Sequence, residues 1–356
     1  MAKIKRDPKD FKVVEVLKKP LREKGTYKVY RLYKVGLETQ EAINIIAKIS
    51  KISPKVISYG GLKDKNAETL QFLSIPGKFK LREISKENLK LSFVGYLQES
   101  ITPSLVKGNF FEIVVRGGKL KEDRIKILEE VGIPNYYGEQ RFTPVRNGEF
   151  FAKYISKKDL KGAILYLFTP AGWEGSKIKK GKKLFIEGKF EAASKFFTGW
   201  RKKVCFFLSK NPRGFKEAFK LIPKSEIEFQ MNVLQSYLFN EWLKKLIEER
   251  TKNFLSFKYK LGFMLFPLER VELPRELPVF HPESSNSFYE EKLKELGIEI
   301  EGLLKFRGLF HRFRRETFVF PKEFKVENLT EGIRLKFFLP SGSYATNVVR
   351  FLYDAV

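Results

Sequence analysis

Strand-like segments lie towards both ends of this chain of 356 residues, while helical patterning fills its middle. In the first part, "KVYRLYKV" (28–35) reads as a strand, and "ETQEAINIIAKISKI" (38–52) carries apolar residues at 42, 43, 45, 46, 49 and 52, the spacing of a helix face. Two more strands are predicted at "KVISY" (55–59) and "TLQFLSI" (69–75), the second closed by Pro76 and Gly77. Strands at 92–97 and 109–116 and a charged helix near 121–131 complete the N-terminal pattern. From about 155 to 318 the character shifts to helices and basic loops, with a long helix within 226–250 whose Phe229, Val233, Tyr237, Trp242 and Leu246 form an apolar stripe. Strand composition returns in "GIRLKFFLP" (332–340). The simplest arrangement is an α+β fold of two domains. Residues 1–155 and 319–356 form one domain from both ends of the chain, and 156–318 form a mostly helical insertion.

Charge narrows the partner. Lys and Arg number 69 against 42 Asp and Glu, a formal net charge of +27, which points to a polyanion, with nucleic acid ahead of an anionic membrane. No apolar run approaches the roughly 18 residues of a spanning helix, and "MAKIKRDPKDFKVVEVL" lacks the apolar core of a signal peptide. The expected place is the cytoplasm, without a membrane partner. Cys205 is the single cysteine and His281 and His311 are the only histidines, so no disulfide framework and no zinc cluster is expected.

The chemistry-bearing candidate is a lone acid. In "YGGLKDKNAETLQFLSIPGK" (59–78), Asp64 stands between Lys63 and Lys65 on a short strand-to-strand connection, after Gly60 and Gly61. Read alone, an Asp there is an ordinary turn residue. Lys63 and Lys65 could meet phosphate, and in an extended stretch they point away from Asp64.

"GGLKDKNAETLQ" resembles the signature loop of the TruD family of tRNA pseudouridine synthases, a G-x-K-D-x-x-A-x-T pattern around the catalytic aspartate. Four further stretches resemble family segments in the same order: "PKDFKVVEVL" (8–17), "NYYGEQRF" (135–142), "QMNVLQSYLFNEWL" (230–243) and "LPSGSYATNVVR" (339–350). The resemblance implies a pseudouridine synthase catalytic domain with a mixed or antiparallel sheet, carrying an inserted TRUD domain. It also implies a substrate, uridine 13 in the D arm of tRNA, and a reaction without metal, nucleotide or organic cofactor. Asp64 would act as nucleophile at C1′ or as a base removing the 2′ proton, and both require it ionised.

The resemblance further implies that Asn135 holds the base or the catalytic loop, and that Tyr137 packs on the target uracil, where the family commonly carries Phe. Lys5 aligns with a basic position of the N-terminal segment and Phe11 with a Phe near the active site. Arg141 and Arg350 lie within matching motifs, and either could pair with Asp64 or bind phosphate or carboxylate. Gln230 and Asn240 are read as structural. Arg312, Arg314 and Arg315 in "HRFRRETF" (311–318) suit RNA phosphates and base faces.

"GWEGSKIKKGKK" (172–183) does not have the spacing of a nucleotide-binding loop and reads equally as a flexible basic loop against tRNA backbone or as a solvated charge run. The expected partner is RNA, foremost tRNA, with a monomer favoured. The alternative is an RNA-binding protein or RNA chaperone built on the synthase fold. A methyltransferase would call for a Gly-rich cofactor loop, and G-x-G-x-x-G is absent. A two-carboxylate glycosidase would need a paired acid, and Glu68, the nearest, has no distinguishing context.

Overall fold

The computed structural model describes residues 3–4 and 6–354. The chain divides into two units. One takes the chain up to Asn135, Phe266–Arg270 and the chain from Phe318 onward, and the other takes Tyr136–Leu265 and Val271–Thr317.

The first unit is built on one sheet. Its N-terminal strands are β1 (Phe11–Leu17), β2 (Tyr27–Val35), β3 (Ser58–Tyr59), β4 (Glu68–Pro76), β5 (Ile84–Lys86), β6 (Leu89–Leu97) and β7 (Val106–Val115). Among the described residues nine strands join in the order Lys322–Leu329, Gly332–Pro340, β7, β1, β4, β2, β6, β5, with β3 also on β4. The two ends of the chain meet where Gly332–Pro340 lies antiparallel to β7, from Ile333 opposite Val115 to Pro340 opposite Gly108. β1 and β4 run parallel, with Lys12 opposite Glu68, which makes the sheet mixed. The expected α+β architecture is the one observed.

Helix α1 (Thr39–Ser50) covers one face of the sheet, because Ala42, Ile43, Ile46 and Ala47 recur at helical spacing and meet Tyr30, Leu32, Leu73 and Ile75. Burying each Ile contributes about 1.5–3 kcal/mol. Along β2 the buried residues Tyr30, Leu32 and Lys34 alternate, and their partners across the antiparallel pair with β4 are Leu73, Gln71 and Thr69. The same face is thus apolar at one end and polar at the other. The loop 60–67 enters β4 at the polar end.

The expected strand 55–59 is shorter than predicted, because Pro54 starts a single 3-10 turn (Pro54–Val56) capped by Ser53, leaving only Ser58–Tyr59 paired. The helix near 121–131 is α2 (Asp123–Glu130).

The second unit is organised on a helix of 27 residues, Lys224–Arg250. Its expected stripe is corrected: Phe229 is exposed, whereas Met231, Leu234, Gln235, Leu238, Phe239, Asn240 and Leu243 are buried around the helix. Burial on several sides erases a one-sided pattern. Gln235 shows how polar residues survive there, its Nε2 donating to the carbonyls of Phe280 at 2.5 Å and His311 at 2.9 Å.

The flexible-loop reading of 172–183 is also corrected, since Ser176–Ile186 is a helix. Phe185 stacks on Phe168 with ring centroids 3.6 Å apart, and buried Lys182 pairs with Glu174 at 2.6 Å. Lys177, Lys180 and Lys183 remain exposed along it. The first expected domain boundary, after 155, differs from the division after Asn135, because Phe150 packs on Tyr237 (5.0 Å) and Phe151 on Tyr166 (6.0 Å) within the second unit.

Candidate active site

Loop 60–67 is fixed at its entry by a glycine that has no room for a side chain. A Cβ on Gly60 would lie 2.1 Å from Cγ2 of buried Val106, and Gly61 follows with φ of +148°. Ala67, fully buried, closes the loop before β4.

Between those ends, side chains from β2 and α1 hold the backbone. Thr39 spends its hydroxyl on the loop, accepting from the Lys63 N–H at 2.9 Å and donating to Gln71 Oε1 at 3.2 Å. The Lys34 ammonium donates to the carbonyl oxygens of Leu37 at 2.7 Å and of Asp64 itself at 2.9 Å. Asp64 is half-buried, and its Oδ1 accepts the N–H of Asn66 at 3.0 Å, a local turn that orients the carboxylate.

Lys34 has no solvent exposure, and burial pushes its ammonium down to about 8. The charge of Asp64 opposes that fall, Lys63 adds to it, and Glu38 also opposes it. Sequence reasoning missed Lys34. Its signal was phase: it alternates with Tyr30 and Leu32 on β2, so a charged residue occupies a core-facing position.

Lys63, expected at RNA backbone, turns inward instead. Its Nζ lies 2.8 Å from Glu15 Oε2 and donates to Asn109 Oδ1 at 2.7 Å. Glu15 is buried on β1, and its other oxygen accepts from the Phe72 N–H at 3.0 Å. Lys65 is exposed. Phe11 begins β1, 5% exposed, with its ring edge-on to Phe111 at 6.1 Å, one residue before the Lys12–Glu68 pairing at the loop exit. Asp10 beside it accepts from Arg116 at 2.9 Å, and that hydrogen bond holds its carboxyl below the usual range. Asn135 is buried after Ile133–Pro134, and Arg350 is half-buried on the helix Ala345–Tyr353. Lys5 lies outside the described residues.

In the second unit Tyr137 is the centre of a cluster. Asn240 clasps its backbone in both directions, accepting from the N–H at 2.8 Å and donating to the carbonyl at 3.0 Å. Its ring meets Phe239 edge-on at 5.7 Å, and the buried Arg315 guanidinium lies 4.1 Å from the ring centroid. Arg141 stands farther off at 6.0 Å and donates from Nε to Ser236 Oγ at 3.0 Å.

Arg312 and Arg314 do not join this cluster. Arg312 pairs with Glu283, and Arg314 donates to the Glu276 carbonyl at 2.8 Å, both remaining exposed. Strand alternation in Arg314–Glu316 explains why Arg315 alone of the three turns inward.

The fold and the loop define a class first. A crystal structure from Methanosarcina mazei, assigned to tRNA pseudouridine synthase D (TruD), matches 99% of this chain and 94% of its own with a TM-score of 0.65 and 25% identity. The mixed-sheet architecture described above is consistent with the pseudouridine synthase fold.

Sequence carries the assignment further. The family model described as tRNA pseudouridine synthase D (TruD) matches residues 1–256. A relative from Methanococcus maripaludis, named "Probable tRNA pseudouridine synthase D 1", is 30% identical over 99% of both chains. The tRNA pseudouridine synthase D of Aquifex aeolicus is 30% identical over 99% of this chain and 98% of its own. The chain belongs to the tRNA pseudouridine synthase D family, a family of isomerases.

Proposed function

We propose that this chain converts uridine 13 in the D arm of tRNA to pseudouridine, with Asp64 as its one catalytic carboxylate and no cofactor. The reaction breaks the N1–C1′ bond, turns the freed uracil and joins C5 to C1′. C5 loses its proton and N1 gains one, so atoms and electrons balance without an oxidant or an energy source.

The observation that carries this reading is the way the loop bearing Asp64 is held. Hydrogen bonds reach its backbone at Lys63 N and Asp64 O, and the ion pair of Lys63 with Glu15 anchors a side chain next to the acid. A nucleophile or base acting on a sugar carbon must be held within a fraction of an ångström, and such anchoring supports that precision. Asp64 acts either as nucleophile at C1′ or as the base that removes the 2′ proton.

In the same reading uracil stacking falls to Tyr137; the residue is 7% exposed with the Arg315 guanidinium against its ring, so the role requires Arg315 to leave the ring, while Asn240 fixes the backbone. Phe11 and Asn135 in the first unit, and Arg141 in the second, are assigned to substrate binding. The first unit acts as the catalytic domain and the second, which begins at Tyr136, as the RNA-gripping insertion. Exposed Lys177, Lys180 and Lys183, now on a helix, suit phosphate contact, as do Lys65, Arg312 and Arg314.

The test is unmodified tRNA transcript incubated with purified protein and no added cofactor, followed by nucleoside mass spectrometry with site mapping. Pseudouridine at position 13 is expected. Asp64→Asn should lower the rate by about 10²–10⁴-fold or more while retaining tRNA affinity. Tight binding without product in the unaltered protein would overturn the reading in favour of an RNA chaperone.

A further inference from the structure

Among the described residues Lys34, Lys63 and Lys182 are lysines drawn into the interior, and they are held in two different ways. Lys182 pairs with Glu174 at 2.6 Å and Lys63 with Glu15 at 2.8 Å, as buried ammonium groups ordinarily do. Lys34 makes no such pair among the described residues. Its ammonium, without solvent exposure, donates only to the carbonyl oxygens of Leu37 and Asp64.

An ammonium kept from water with carbonyl oxygens as its only hydrogen-bond partners is an expensive way to tie a loop. A neutral donor such as Gln would make the same kind of bond at lower desolvation cost. The feature a lysine adds is its charge, and the residue it bonds is the one that carries the carboxylate.

We propose that Lys34 is a positioning residue for Asp64: it holds the loop by Asp64's own carbonyl oxygen and supplies a fixed positive charge that favours the ionised carboxylate. The inference rests on the reading of Asp64 as the reacting group. The charged groups that bear on Lys34 are Asp64 and Lys63 in the loop and Glu38 just before α1. Asp64 and Glu38 favour the ammonium, while Lys63 disfavours it. Linkage is reciprocal, so an acid that favours the ammonium is itself favoured in its ionised form by that ammonium.

The experiment has two independent readouts. The first is NMR of protein carrying ¹³C-labelled lysine Cε, titrated in the unaltered chain and in Asp64→Asn, a near-isosteric change. The lysine resonance that titrates near pH 8 should move to lower pH by about 0.5 unit or more in Asp64→Asn. An unchanged midpoint overturns the proposal, whatever the enzyme's activity.

The second is the single-turnover rate against pH in Lys34→Met, with tRNA affinity and loop amide exchange measured in parallel. The acid limb of the rate should move to higher pH, residues 60–67 should exchange faster, and affinity should stay within about twofold. An unmoved limb with unchanged exchange overturns the proposal.

Should Lys34→Met fail to fold, the titration in Asp64→Asn decides alone. Turnover of Asp64→Asn separates the two ideas. If that variant remains active, the role of Asp64 fails; if it is inactive and the lysine midpoint has not moved, only the role of Lys34 fails.

Discussion

Replacing Lys63 with Met distinguishes an internal strut from an RNA contact, because the two roles change different observables. Its Nζ lies 2.8 Å from Glu15 Oε2, with side chains 11% and 0% exposed. No well-aligned hydrogen bond reaches that oxygen, so its compensation is the charge of Lys63. At an effective dielectric of about 20, unit charges 2.8 Å apart attract by about 6 kcal/mol before desolvation is subtracted. Stranding one member of such a buried pair costs about 3–5 kcal/mol, which for a unit of this size corresponds to a fall in melting temperature of about 6–20 °C. The double variant Lys63→Met/Glu15→Gln keeps an acceptor for the Phe72 N–H and removes the stranded charge, so it should recover more than half of the loss. Calorimetry of both single variants and the double variant closes the cycle, and tRNA affinity across a salt series reports phosphate contacts. If Lys63→Met melted with the unaltered protein and lowered the salt slope by about one, Lys63 would be a phosphate ligand and the strut argument would be refuted.

Gly60→Ala places a methyl 2.1 Å from Val106 Cγ2, on a buried β-branched side chain that cannot swing away. The loop must yield, costing about 1–3 kcal/mol in a melt; a displacement of Asp64 near 1 Å should lower single-turnover rate by about 10²-fold, and an unchanged rate would show that the loop tolerates the shift. Asp10 contributes to the acid dependence: Arg116 depresses its folded pKa below the ordinary 3.8, so the stability it contributes is present above about pH 4 and is lost as pH falls through the depressed value. In acid-unfolding curves Arg116→Met should therefore destabilise at neutral pH and converge with the unaltered protein at low pH; parallel curves would contradict the assignment.

Much of the first unit was legible because its signals are local. Strand composition bounded by turn residues placed 28–35, 69–75 and 332–340 in strands, and helical spacing marked 38–52. Other elements follow from tertiary context. The helix Lys224–Arg250 has no single apolar side because neighbours surround it, and Ser176–Ile186 reads as a basic loop until Phe168 and Glu174 supply partners for Phe185 and Lys182. At the candidate site the signature loop showed which residue to examine, and it said nothing of what lies beneath. Lys63 looked like a surface cation because its partner Glu15 is 48 positions earlier on another strand. Long-range charge pairs leave no periodicity in a sequence.

The buried charges share a logic that neither stability nor RNA affinity explains alone. Glu15 on β1, Lys34 on β2 and Lys63 in the loop occupy places where apolar residues would be cheaper. All three bear on the connection that carries Asp64, whereas the core between α1 and the sheet is filled with Ile, Leu, Ala and Tyr30. An apolar end would tolerate small slides of the loop, since dispersion contacts are many and nondirectional. Charge-assisted bonds to one backbone oxygen and one carboxylate fix direction as well as distance. In the proposed reaction the base must leave C1′, turn and return, so Asp64, as nucleophile or as base, must stay in place while the substrate moves. Exchanging both members of the Lys63–Glu15 pair for packed apolar side chains, unlike Lys63→Met alone, should therefore restore most of the melting temperature and still lose turnover, a pairing that ordinary core repacking would not produce.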